Sequence, residues 1–140
     1  MKKVLLLLVC CTMMDVVLAQ DVEYAEPYLI HRIFFGGGSY YIDQQQIDEL
    51  HIFLSQFEEL ENYEIEVHSH TDNIGSVEFN QRLSIMRSRS VVRHIILKNI
   101  PEEIILIEDY GELNPLYDND TWEGKLSNRR VDVIIKPIVL

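Results

Sequence analysis

Three potential metal ligands occupy alternate positions in His68-x-His70-x-Asp72. On an extended strand that spacing turns all three to one side, as a metal-dependent hydrolase would need in order to hold a cation. The supporting ligands are missing: Asn73 follows where a further histidine would help, and the only later histidine is His94. The plainer reading makes His70 a histidine bonded to nearby backbone and His68 a solvent-exposed one. No Ser-His-Asp or Cys-His constellation accompanies them, so nucleophilic catalysis has no carrier. A second chemistry starts in the same residues. Thr71, Asp72, Asn73 and Gly75 are turn formers, and beyond them Arg87 falls where a surface arginine has no reason to be. Strand end, polar turn and misplaced arginine outline a ligand site.

Such a site needs a strand that stops, a turn that holds and a helix that follows. Glu64 to His70 sets Ile65 and Val67 against Glu64, Glu66 and His68, the alternation of a strand with one buried face. Ser76 is placed to cap a helix with Glu78 in its first turn, and Pro101 ends the run, so a helix is expected over about 76–99. At the helical rotation of about 100° per residue, Ser84, Ser88, Val91, Val92 and Ile95 share one face, whose small serines allow close approach to a sheet. Arg82, Arg89 and Arg93 fall on the opposite, solvated side. Arg87 projects about 20° from Asn80 and about 40° from Val91, on the border of the buried face.

The remaining elements are coarser. Leu29 to Phe35 reads as a first strand, and Asp43 caps a helix to about Leu60 with Ile47, Leu50, Leu54 and Phe57 at helical spacing. The apolar run Ile104 to Ile107 reads as an inner strand, and Arg130 to Ile135 as the last one. Between them lies a polar connector, Gly111 to Asn128, with a short helical turn near Trp122. The order βαβαβ, a loop and a final β implies an α/β sandwich with helices packed on a four-stranded mixed sheet.

The His-Thr-Asp-Asn-Ile-Gly stretch at 70–75, then Asn80, Leu83, Ser84 and Arg87, and downstream Gly111-Glu112, Pro115 and Asn128-Arg129-Arg130-Val131, resemble one family. It is the peptidoglycan-binding domain found at the C-terminus of outer membrane protein A, in peptidoglycan-associated lipoproteins and in flagellar stator proteins. The resemblance runs from about Ile33 to Pro137 and ties many positions across separate elements. It implies non-catalytic binding of the peptide stem of peptidoglycan, with no cofactor. Asp72 and Arg87, fifteen positions apart as in the family pattern, would grip the diaminopimelate residue. That residue presents an ammonium and a carboxylate at one end, which a carboxylate and a forked guanidinium read as a zwitterion. The two are expected to converge on ligand rather than on each other, so that Arg87→Ala would lose binding and keep the fold. Thr71, Asn80 and Leu83 complete the implied set. Strand alternation sends Arg129 and Arg130 to opposite faces, one for ligand and one for a structural carboxylate; parity favours Arg129 for ligand.

Two departures lie near the expected pocket. Ser69 stands where many members have glycine, and Phe34-Phe35-Gly36-Gly37-Gly38 where many have an aspartate. The glycine run offers backbone N–H groups to an anion or, more simply, a flexible connector.

Composition points to export. Lys2-Lys3, the apolar run Val4 to Met14 and the small residues before a cut after Ala19 describe a signal peptide over 1–19, with a short leader at 20–28 and the binding domain at 29–140. Cys10 and Cys11 invite a lipoprotein reading, which Val9 at the preceding position disfavours. Both cysteines fall within that segment, so no disulfide is expected in the mature domain. The segment carries +1, which leaves −12 against −11 for the whole chain. That charge makes nucleic acid and anionic lipid poor partners. Residues 76–99 are the basic exception. No mature transmembrane segment is expected. Periplasmic placement, with outer-membrane association as an option and an envelope protein as an optional second partner, completes the expectation.

Overall fold

A computed structural model describes residues 28–138. The expected signal peptide, with Cys10 and Cys11, and the expected leader up to residue 27 lie outside the described residues. Four strands, β1 (Leu29–Phe34), β2 (Tyr63–His70), β3 (Ile105–Gly111) and β4 (Arg130–Pro137), form one sheet in the order β1-β4-β2-β3. β4 runs antiparallel to both neighbours, and β2 pairs with β3 in parallel. The helices are α1 (Gln44–Leu54), α2 (Val77–Ile96) and α3 (Trp122–Asn128). This is the expected α/β sandwich on a mixed sheet, with the expected short helix near Trp122.

Register places Ile65 beside Ile135, Val67 beside Val133, and Ser69 and Ile33 on either side of Val131. Paired residues share a face, so these side chains point together toward Leu50 and Leu54 of α1 and Val91, Val92 and Ile95 of α2. Each such fully buried aliphatic contributes about 1.5–3 kcal/mol. The α2 stripe is as the periodicity predicts: Ser84, Ser88, Val91, Val92 and Ile95 are buried, and Arg82, Arg89 and Arg93 are exposed. Ser76 caps α2 by accepting from the Phe79 N–H at 3.2 Å, and Asp43 caps α1 by accepting from Gln46 at 2.9 Å.

Two expectations are corrected. α1 ends at Leu54, not Leu60: Gln56 and Phe57 donate to Phe53 and Leu54 in tighter turns. Phe57 leaves the helix and packs edge-on against Phe53 and Tyr63, closing the core from outside. β3, expected inside the sheet, is an edge strand with Leu106 and Ile107 50 % and 38 % exposed. The inner strands are β4 and β2, each paired along both edges. Among the described residues no helix is long and apolar enough to cross a membrane.

The end of β3 is joined to α2 at Gly111. Its φ of +58° and the Gln81 backbone nitrogen 3.2 Å from a would-be Cβ leave room for glycine only. Its N–H donates to Ser84 Oγ at 3.2 Å and its carbonyl accepts from Thr71 N–H at 2.8 Å. Strand, turn and helix are thereby locked at one point, the point from which Asp72 departs.

Candidate functional site

Thr71 and Asp72 leave the end of β2 and are buried, 2 % and 6 % exposed. The Thr71 hydroxyl donates to the Asp72 carbonyl at 2.9 Å, and Asp72 Oδ1 accepts from the Ile74 N–H at 3.1 Å, an Asx turn that fixes the carboxylate. Asp72 Oδ2 meets Arg129 Nε at 2.6 Å, with both side chains 8 % exposed. Arg129 follows α3 directly. Its guanidinium lies 5.0 Å from the centroid of the Trp122 ring, and Gly37 lies beside it, where a Cβ would be in ordinary van der Waals contact with Nη1 at 3.5 Å.

Arg87 is 1 % exposed, the most voluminous of the fully buried side chains. It is neither solvated nor paired with Asp72. Nε donates to the Ser39 carbonyl at 2.9 Å, Nη1 to the His70 carbonyl at 2.9 Å and Nη2 to the Gly36 carbonyl at 3.0 Å, over the Phe35 ring at 5.0 Å. Burial pulls it down to about 10, opposed by Asp72 and reinforced by Arg129, so it is cationic at neutral pH. Within the glycine run the Gly36 carbonyl accepts from Arg87 and also from the Ser39 N–H at 3.2 Å, closing a turn. Three carbonyls depend on that guanidinium, so Arg87→Ala is expected to cost fold stability as well as binding, against the expectation that it would spare the fold.

Other pattern residues hold backbone and connector. Asn80, 1 % exposed, donates from Nδ2 to Glu112 Oε2 at 2.6 Å and has its Oδ1 without a partner among the described residues. Asn128 accepts from the Tyr117 N–H at 3.1 Å and donates to the Tyr117 carbonyl at 2.8 Å, pinning the connector. Leu83 is buried at 5 % but stands outside the main apolar cluster. Arg130, the first residue of β4, pairs with Asp132 at 3.1 Å beneath Tyr117, while Arg129, just before the strand, meets Asp72, so each arginine has its own carboxylate. The sequence reading missed the carbonyls of Gly36 and Ser39, the role of Glu112 and the ring of Trp122. The first two carry no side-chain signal, since any residue supplies a carbonyl.

The histidines make no metal centre. His68 is not exposed as expected: its Nε2 lies 3.1 Å from Glu66. His70 stacks on Tyr110 at 5.1 Å, its Nδ1 lacks the expected backbone partner, and Asp132 is 4.0 Å from Nε2. Asp72 is turned away to Arg129. Among the described residues no group of three His, Cys, Asp or Glu could hold a metal ion.

Burial, with Arg130 and His68 adding to it, pushes the His70 imidazole down to about 3. The unfolded chain binds this proton near pH 6.5, while the native state resists it until about 3. The contribution is therefore complete above pH 6.5 and is lost as pH falls towards 3. The unfolding free energy from urea titrations should fall between pH 7 and pH 5, by at most about 1.4 kcal/mol per pH unit for one proton. His70→Phe should flatten that dependence; an unchanged slope would assign the acid sensitivity to other groups, among them His31 and His94, which burial also lowers.

The OmpA family profile matches residues 34–129, well over half of the chain. Outer membrane protein A of Bordetella avium is 42% identical over 65 residues, 46% of this chain and 34% of that one. The peptidoglycan-binding protein ArfA of Mycobacterium tuberculosis is 31% identical over 71 residues, 51% of this chain and 22% of that one. The match thus spans 34% and 22% of the length of these relatives. Among solved structures, the peptidoglycan-associated lipoprotein of Burkholderia pseudomallei superposes with a TM-score of 0.69 at 21% identity, covering 75% of this chain and 89% of that one.

Proposed function

Because this chain belongs to the OmpA family, we propose that it binds the peptide stem of peptidoglycan, without catalysis, through diaminopimelate. The observation that carries the reading is the charged centre at the end of β2. One carboxylate, Asp72, is held at 2.6 Å by Arg129, while Arg87 bonds the His70 carbonyl, two residues before Asp72, at 2.9 Å. Two of the five N–H donors of Arg87, one on each terminal nitrogen, have no partner among the described residues. Donors buried this deeply call for an acceptor, and a ligand carboxylate is one. Asp72 takes the ligand ammonium, sharing its oxygens with Arg129; Arg87 takes the carboxylate, with Arg129 beside it. Thr71 sets the carboxylate's position, and Asn80 and Leu83 shape the helix side.

A relative named for peptidoglycan binding and a structural neighbour named for peptidoglycan association support the choice of polymer. The proposed setting is the periplasm, at the wall or the outer membrane, with the wall as partner and room for an envelope protein as a second. The test is sedimentation of the purified protein with insoluble diaminopimelate-type peptidoglycan. The parent and Arg89→Ala, on the solvated face, should pellet with it; Asp72→Ala should stay in the supernatant. The variant loses a charge-assisted contact worth about 1.5–3 kcal/mol, which repeated weak contacts along a polymer amplify. Pelleting of Asp72→Ala at the parent level would remove this site from the reading.

A further inference from the structure

We infer that Trp122 is a stacking platform for a pyranose ring of the glycan strand that bears the stem peptide. The inference rests on reading the Asp72–Arg129 centre as the stem-peptide site. Trp122 is the only tryptophan of the chain and is 59 % exposed. An indole left that open contributes little to the core, yet its mount is rigid. Thr121 Oγ1 caps α3 by accepting from the Gly124 N–H at 3.0 Å, and α3 lies so close to the preceding turn that a Cβ on Gly124 would meet the Asp118 carbonyl oxygen at 1.8 Å. Asn128, fully buried, ties the far end of α3 to Tyr117 and Asn119. One turn along, Leu126 is 43 % exposed and shares a depression of about 290 Å³ with Phe34, Phe35 and Ser127.

The chemistry fits a sugar. A pyranose has an apolar C–H face and a hydroxyl rim, and its slightly positive C–H groups match the negative face of an indole, whose N–H remains available to a hydroxyl or acetamide. The apolar depression beside Leu126 suits an acetamido methyl group. The ordering in space also fits, since Asp72 and Arg129 meet at 2.6 Å and Arg129 and Trp122 at 5.0 Å. The platform and the charged centre are thus contiguous through Arg129.

The experiment compares two defined ligands, the free diaminopimelate tetrapeptide and the same peptide on its N-acetylated disaccharide, by calorimetry and by Trp122 fluorescence. The disaccharide-peptide should bind the parent roughly two- to tenfold more tightly and shift the emission more than the free peptide. In Trp122→Ala the two ligands should bind equally, and Trp122→Phe should keep part of the preference. Only the ratio is read, so a general weakening through Arg129 does not imitate the effect. Tetrapeptide binding with no gain from the disaccharide in the parent overturns the glycan platform and leaves the peptide site standing. Binding of neither ligand overturns both.

Discussion

Arg87→Met should cost the fold about 3–5 kcal/mol, since it leaves three carbonyls without their donor at about 1–3 kcal/mol for each buried one. The side chain is 1 % exposed and bonds the carbonyls of Gly36, Ser39 and His70. These belong to two segments that no strand pairing joins directly: the turn after β1 and the end of β2. Methionine fills most of the space but donates nothing, so three acceptors in a mostly buried setting lose their partner at once. Arg87→Lys should recover less than half of the loss, because one ammonium on a flexible stem cannot reproduce a planar fork that reaches three divergent oxygens. The measurement is the urea midpoint with the m-value checked for constancy. A Met variant within about 1 kcal/mol of the parent, below the ordinary cost of a single orphaned buried group, would show that the guanidinium does not hold this end of the fold. A failure of Arg87 variants to bind the wall is therefore no evidence about ligand until folding has been measured.

Ligand reading is better tested by changing the ligand. A stem peptide with lysine in place of diaminopimelate keeps the ammonium for Asp72 and lacks the carboxylate. The parent should bind it roughly ten- to a hundredfold more weakly, the equivalent of about 1.5–3 kcal/mol for one charge-assisted contact. Arg129→Gln, which keeps a hydrogen-bonding side chain beside Asp72, supplies the second arm of the cycle. If Arg87 senses the carboxylate, the preference for diaminopimelate persists in that background while affinity for both peptides shifts together. Collapse of the preference in Arg129→Gln would transfer the role to Arg129. Equal affinity of the parent for both peptides would mean that neither guanidinium reads diaminopimelate.

Local chemistry in the chain determined a good deal by itself. Alternation in Glu64–His70, the Ser76 cap and the stripe through Ser84, Ser88, Val91 and Val92 depend only on neighbours a few positions away, and β2 and α2 follow them closely. The pattern linking Asp72, Arg87 and Asn128-Arg129-Arg130 picked out side chains that differ in kind from the apolar faces around them, and the fold brings Asp72 and Arg129 together. What the pattern could not supply is which charge meets which. Arg87 at the border of a helix face reads as free to reach a ligand, and only the folded chain brings the turn after β1 beneath it. Backbone carbonyls are identical at every position, so their use as partners is invisible until distant segments meet. Strand order is hidden for the same reason: the run Ile104–Ile107 is apolar enough for the interior, but the sheet places β4 between β1 and β2 and leaves β3 at the edge. Periodicity reports which face of an element is buried; which element lies beside it is settled by packing between residues far apart in the chain, and at this site that packing pairs Asp72 with Arg129 rather than Arg87.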